Sequence, residues 1–218
     1  MPIIYKIDKK GDAMRRLLFM LFFLIATRLF AIEAGSVLDK TIEQYKNMNS
    51  FYAEFEQVFC DEEAGICQRF EGRTYYMKPN YFRMEIDDPK QIYVGDSNSL
   101  WIYFPEENRV IRQKLEQVPF QINPDALFAD YETDYNAEIV EAGDDYYEIA
   151  LNPKEDADIY RRLQVRIKAH TYEIIGITVY DEAGTESKFE FTKVEINKKI
   201  SKKMFEFSPP KGAQIDEF

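Results

Sequence analysis

The sequence predicts a mainly β (α+β) fold: about eleven antiparallel strands in one sheet, curled into an incompletely closed barrel with helices over its concave face. Two observations carry that expectation. Between residues 51 and 197, segments rich in Val, Ile, Thr, Tyr and Phe alternate with the turn signals E-A-G, K-P-N, D-D-P-K, G-D-S-N and P-E-E-N, the pattern of an antiparallel meander. No internal repeat, low-complexity segment or linker interrupts the chain, so these strands fall in one domain. A single sheet of that size twists and curls.

Residues 1–31 read as a secretory signal peptide. Residues 17–26 form an apolar run behind Arg15 and Arg16, too short to span a bilayer, and Ala31 is a suitable cleavage point. Met14 stands directly before the arginines and reads as the true start. Residues 32–218 then form the single mature domain. Ser36 is placed to cap a helix over residues 37–47, in which Val37, Leu38, Thr41, Ile42, Tyr45 and Met48 recur at helical spacing.

Six strands follow, over residues 51–60, 67–77, 81–86, 91–95, 99–103 and 109–114. Cys60 and Cys67 flank the first turn, where Gly65 suits a positive φ. A hairpin sets the two thiols opposite each other, and export to an oxidising compartment favours a disulfide over free thiols. Two thiols without a nearby His or further Cys make a poor zinc site, so no metal is expected. The pattern breaks over residues 118–131, where Asn123 caps, Pro124 fits the first helical position, and Leu127 and Phe128 lie on one face of a short apolar helix. Five strands resume over residues 135–141, 146–152, 160–167, 172–180 and 186–197.

Composition narrows the function classes. The 218 residues are 45% apolar, enough for a sizeable core. Lys and Arg number 28 against 39 Asp and Glu, a net charge of −11; without residues 1–31 the counts become 22 and 37, a net charge of −15. Such acidity disfavours nucleic acid and anionic membrane surfaces as partners and suits a diffusing monomer.

The stretch E-G-R-T-Y-Y-M-K-P-N-Y-F-R-M-E, residues 71–85, is a strand, a corner at Lys78-Pro79-Asn80, and a second strand. Lys78 ends a partly apolar row, where a cation needs a reason. The order F-x-Q (Phe55, Gln57), then Gly72, Lys78, Pro79, Asn80, Phe82 and Arg83, resembles the periplasmic outer-membrane lipoprotein carrier family, LolA. V-G-D-S-N-S-L-W-I-Y (94–103), V-P-F (118–120) and F-E-F-S-P-P-K-G (205–212) follow in the family's order, so the resemblance spans about residues 36 to 215. The family's arginine before the proline is Lys78 here, and an aromatic often found a few residues later is Met84.

The resemblance implies an unclosed barrel under a helical lid with an apolar cavity between them. Phe51, Phe55, Tyr76, Phe82, Met84 and Ile92 are assigned to the concave wall, with Leu127 and Phe128 facing them from the lid; for each, packed core is the competing reading. Lys78 is assigned to gating, as a donor to lid carbonyls that lacks the planar fork of arginine. The implied function is a periplasmic chaperone that shields lipoprotein acyl chains and shuttles them from an inner-membrane ABC exporter to an outer-membrane receptor, with no cofactor. No Cys follows the apolar run, unlike the family's lipid-anchored receptor.

Two other classes stay open: an envelope sensor or glycolipid-binding module on the same fold, and a lipid or ester hydrolase. The sensors usually add a second domain, whereas this chain ends just after P-P-K-G. Against the hydrolase, the sequence has no G-x-S-x-G elbow, phosphate loop, H-E-x-x-H or dinucleotide fingerprint, and its one histidine, His170, falls in a turn. The carboxylate pairs at the turns read as solvated.

Overall fold

Short turns between successive strands favour antiparallel neighbours, and nearly the whole sheet is built that way. The computed structural model describes residues 33–61, 63–96, 98–114, 131–154 and 160–218. Its strands are β1 (Ser50–Asp61), β2 (Ile66–Met77), β3 (Tyr81–Ile86), β4 (Gln91–Gly95), β5 (Ser99–Phe104), β6 (Arg109–Lys114), β7 (Tyr135–Ala142), β8 (Tyr146–Pro153), β9 (Tyr160–Lys168), β10 (Ile174–Asp181), β11 (Thr185–Ile196) and β12 (Gln214–Glu217). Their order across the single sheet is β12-β6-β5-β4-β3-β2-β1-β11-β10-β9-β8-β7. The seam is the antiparallel pairing of β1 with β11, from Phe51 opposite Ile196 to Asp61 opposite Thr185. β7 and β12 are the two edges and do not pair with each other, so the barrel is incompletely closed.

The twelfth strand extends the expected eleven. β12 runs parallel to β6, with Ile215 opposite Val110. The C-terminal chain reaches that edge across the outer face of the sheet. A 3-10 turn at Lys202–Phe205 and the residues after it stack Phe205 on Tyr81, and Phe207 on Trp101 and Tyr103, with ring centroids 5.6–5.9 Å apart. Nη1 of Arg83 donates to the Met204 carbonyl at 3.2 Å. Val94 and Val110, on this outer face, are fully buried.

Helix α1 (Ala34–Lys46) covers the other face. It begins two residues before Ser36, with Glu33 extended at the cap position and no side-chain cap, so Ser36 lies in the first turn instead of capping it. Ala34 is itself buried, and packing draws the helix start ahead of the local cap signal. The buried side of α1 carries Val37, Leu38, Thr41 and Tyr45, and the Thr41 hydroxyl donates to the Val37 carbonyl. Val37, Leu38, Tyr45 and Met48 join one core cluster with Phe51, Phe55, Tyr76, Ile149, Leu151, Leu163, Val165, Ile167, Phe189 and Phe191. Each large apolar side chain so buried stabilises the fold by about 1.5–3 kcal/mol.

The hydroxyl of Tyr45 accepts the Ile174 N–H at 3.1 Å, which satisfies a buried donor, and burial pushes the Tyr45 hydroxyl up to about 12. A one-turn helix, α2 (Tyr131–Asp134), precedes β7, and its Tyr131 hydroxyl donates to Asp39 of α1 at 2.8 Å. Lys40 donates to the Tyr172 hydroxyl at 3.1 Å. α1 is thus anchored along its length to two separate segments, α2 and residues 172–174.

Candidate apolar site on the concave face

Cross-strand register decides which side chains share the concave face. One row runs Phe51, Tyr76, Phe82, Gly95 and Leu100; the next runs Ala53, Thr74, Met84, Tyr93, Ile102 and Ile111. Burial falls along the second row, whereas the first is buried at both ends and only partly at Phe82. Phe51, Phe55 and Tyr76 are 2–3% exposed and lie in the packed core, whereas Phe82, Met84 and Tyr93 are only partly buried against it. Ile102 and Ile111 are likewise half-buried. Core therefore grades into an apolar wall on β3, β4, β5 and β6.

Two glycines set its relief. The Phe82 ring occupies the space that a Cβ at position 95 would fill. A Cβ on Gly72 would lie 2.8 Å from Cζ of Phe55. Each ring thus lies over the bare backbone of a glycine. Tyr93 gives the wall one polar tip, since its hydroxyl donates to Oε1 of Gln91 at 2.7 Å, and burial raises its pKa.

Ile92 is a correction. It stands opposite Glu85 and Tyr103, while Tyr93 stands opposite Met84, so Ile92 lies on the outer face and Tyr93 takes the assigned place in the wall. Leu127 and Phe128 lie outside the described residues, as does the segment assigned as signal peptide. Cys60 and Cys67 are directly paired across β1 and β2, and their sulfurs are bonded.

Lys78 directly follows β2, beside a cis Lys78–Pro79 peptide. Its N–H donates to the Asn49 carbonyl at 2.9 Å, and its ammonium reaches the carbonyl of Lys46, the last residue of α1, at 3.4 Å. The Tyr76 hydroxyl donates to the Pro79 carbonyl at 3.1 Å and braces the same turn. A cation near the C-terminal carbonyls of a helix is favourably placed in the field of its dipole. Among the described residues no group of three or more His, Cys, Asp or Glu could hold a metal ion. The chemistry this face offers is apolar contact.

The family profile described as outer membrane lipoprotein carrier protein LolA matches residues 46–208. The outer-membrane lipoprotein carrier protein of Aliivibrio fischeri (strain MJ11) is 30% identical over 209 residues, 94% of this chain and 99% of the relative. The chain belongs to the LolA family. Its likeness extends to the outer-membrane lipoprotein carrier protein of Coxiella burnetii (strain CbuK_Q154), 26% identical over 78% of this chain and 81% of that one. In three dimensions it resembles an uncharacterized conserved protein from Thermus thermophilus, with a TM-score of 0.55 at 11% identity, covering 85% of this chain and 99% of that one, a likeness of fold alone. The profile match takes in the end of α1, the Lys78 turn and the whole wall from Phe82 to Ile111, so the site described above lies within the family's own portion of the chain.

Proposed function

We propose that the protein is a periplasmic lipoprotein chaperone, which accepts acylated lipoproteins from an inner-membrane ABC exporter and delivers them to an outer-membrane receptor. Membership of the LolA family supports the lipoprotein cargo. The observation that carries the reading is the half-buried wall of Phe82, Met84 and Tyr93, apolar surface left beside α1 instead of being sealed into the core. Each acyl methylene removed from water is worth about 0.8 kcal/mol, so an exposed chain of about fourteen methylenes costs on the order of 11 kcal/mol to carry through the periplasm. A wall of aromatic and Met side chains offsets that cost and accepts different acyl packings.

Delivery without an energy source requires that the cargo be held incompletely. Lys78 suits a reversible latch: a long ammonium–carbonyl contact to the end of α1 forms and breaks at little cost. The test is release. Purified protein is mixed with spheroplasts that retain newly made lipoproteins, and the supernatant is assayed for a soluble one-to-one complex. Its appearance supports the carrier; its absence, with folded protein and a compatible exporter present, transfers the weight to a sensor or glycolipid-binding module on the same fold.

A further inference from the structure

The meander sorts its charges by end. Alternate turns of an antiparallel sheet lie at the same end. At one end each of four turns carries two carboxylates: Asp61 and Glu63 between β1 and β2, Asp87 and Asp88 between β3 and β4, Glu106 and Glu107 between β5 and β6, Asp181 and Glu182 between β10 and β11. At the other end, lysines collect where three segments meet. Asn49 N–H donates to the Asn197 side chain at 2.7 Å, and the Ser50 hydroxyl donates to the Lys198 carbonyl at 2.6 Å. Lys78 reaches the Lys46 carbonyl, and Lys202 lies 4.8 Å from the centre of the Tyr81 ring.

These contacts bring Lys46, Lys78, Lys198 and Lys202 to the same end of the sheet, at the end of α1, the β2–β3 turn and residues 197–203, and exposed Lys199 and Lys203 adjoin Lys198 and Lys202 in the chain. Lys198 is bonded to Glu195, while Lys46, Lys199, Lys202 and Lys203 are exposed and pair with no carboxylate among the described residues. Other acids at this end include Asp96, whose carboxylate accepts the N–H groups of Asn98 and Ser99, Glu206, and Glu217 near the end of β12, with Glu141, Asp144, Asp145 and Glu173 on the β7–β10 side.

The geometry points to this lysine end as a docking surface for anionic phospholipid headgroups, which brings the protein to a membrane with its carboxylate end turned away. All six cations are lysine. Protein interfaces favour arginine and deplete lysine, whereas compact, mobile ammonium groups suit phosphates in a fluid surface. The net charge of −15 over residues 32–218 opposes a membrane for the molecule as a whole, but it is not spread evenly. β1 is 12 residues long, roughly 40 Å at about 3.4 Å per residue, and the Debye length is about 8 Å at physiological ionic strength, so the distant carboxylates are screened from the surface that the lysines touch. Attraction of this kind is salt-sensitive and reversible, which suits a protein that must leave again.

The inference goes beyond the carrier reading, because it concerns empty vesicles with no lipoprotein or exporter present. Protein purified from the periplasmic fraction is sedimented with phosphatidylcholine vesicles containing phosphatidylglycerol, and with phosphatidylcholine alone. Binding is expected only to the anionic vesicles at low salt, lost at high salt, and reduced about ten-fold or more by Lys199→Glu with Lys203→Glu. Lys90→Glu with Lys211→Glu makes the same charge change with exposed residues away from the patch and should leave binding within about two-fold. Failure to bind anionic vesicles, or equal loss in both variants with unchanged circular dichroism, overturns the proposal. Binding to soluble polyglutamate but not to vesicles also overturns it, in favour of an acidic protein partner.

Discussion

The ammonium of Lys78 lies 3.4 Å from the carbonyl oxygen of Lys46, the last residue of α1, and so joins the β2–β3 turn to the helix over the concave face. Replacement by Leu keeps most of the apolar stem and removes the donor. Without that contact the empty, closed arrangement is less favoured, and bound cargo is held longer. Lys78→Leu is therefore expected to slow transfer of cargo to an acceptor several-fold while changing uptake by less than about two-fold. Separate uptake and transfer assays check this, and equal loss of both reduces Lys78 to a structural role.

Burial separates two aromatic side chains on the same face. Phe55 is 2% exposed and packs edge-on to Phe189 at 5.6 Å, so Phe55→Ala should cost about 3–5 kcal/mol of stability. Phe82 is only half-buried, and Phe82→Glu should weaken acyl binding with a near-native circular dichroism spectrum. Denaturant titration and binding of a fluorescent fatty acyl probe distinguish the two effects.

Gly95 tests the relief of the wall. Any side chain at that position drives the Phe82 ring from its place. Gly95→Val should destabilise the protein by about 1–3 kcal/mol and lower acyl binding, whereas Gly143→Ala, at the β7–β8 turn, should leave binding unchanged.

The Cys60–Cys67 bond closes a short loop, with a sequence separation of 7. Chain entropy then assigns it about 2.5 kcal/mol. Replacing both cysteines by Ser should lower the melting temperature by roughly 5–10 °C in a domain of this size. Acyl binding should not follow, because the bond lies on the β1–β2 hairpin near its turn while the wall lies on β3–β6.

Tyr45 gives a pH dependence of known sign. Its hydroxyl is pushed up to about 12 by burial against about 10 in the unfolded chain. As pH rises through 10 the unfolded state loses this proton first, so the stability tied to neutral Tyr45 is full below pH 10 and declines up to about 12. The decline should be smaller in Tyr45→Phe, by roughly 2–3 kcal/mol between pH 9 and pH 12. Parallel stability curves for the two proteins contradict the assignment.

Much of the sheet was legible because turn chemistry is local. Pro79, Gly65 and the acidic turns mark strand ends without reference to tertiary structure, and β1 through β11 fall where those signals put them. What escaped was non-local. β12 offers one apolar residue, Ile215, and its place beside β6 depends on a segment that first crosses the outer face. That same segment explains Ile92. Because Phe205 and Phe207 cover the outer side of β3–β5, both parities of Gln91–Gly95 are apolar, and alternation no longer tells the concave side from the other. The cap at Ser36 failed for a related reason, since burial of Ala34 extends α1 past the local signal. The wall was legible as aromatic content; its division into packed core at Phe51, Phe55 and Tyr76 and half-buried surface at Phe82, Met84 and Tyr93 is set by tertiary packing, which no local signal records.

The most direct measurement places a photo-crosslinking side chain at position 84 in one protein and at position 92 in another, loads each with an acylated lipoprotein, and irradiates. These neighbouring strands carry the two positions on opposite faces of the same sheet. Acyl chains seated on the concave wall yield an adduct through position 84 and little or none through 92. Equal adducts at both positions, or an adduct at 92 alone, contradict the concave wall as the place where the cargo is shielded.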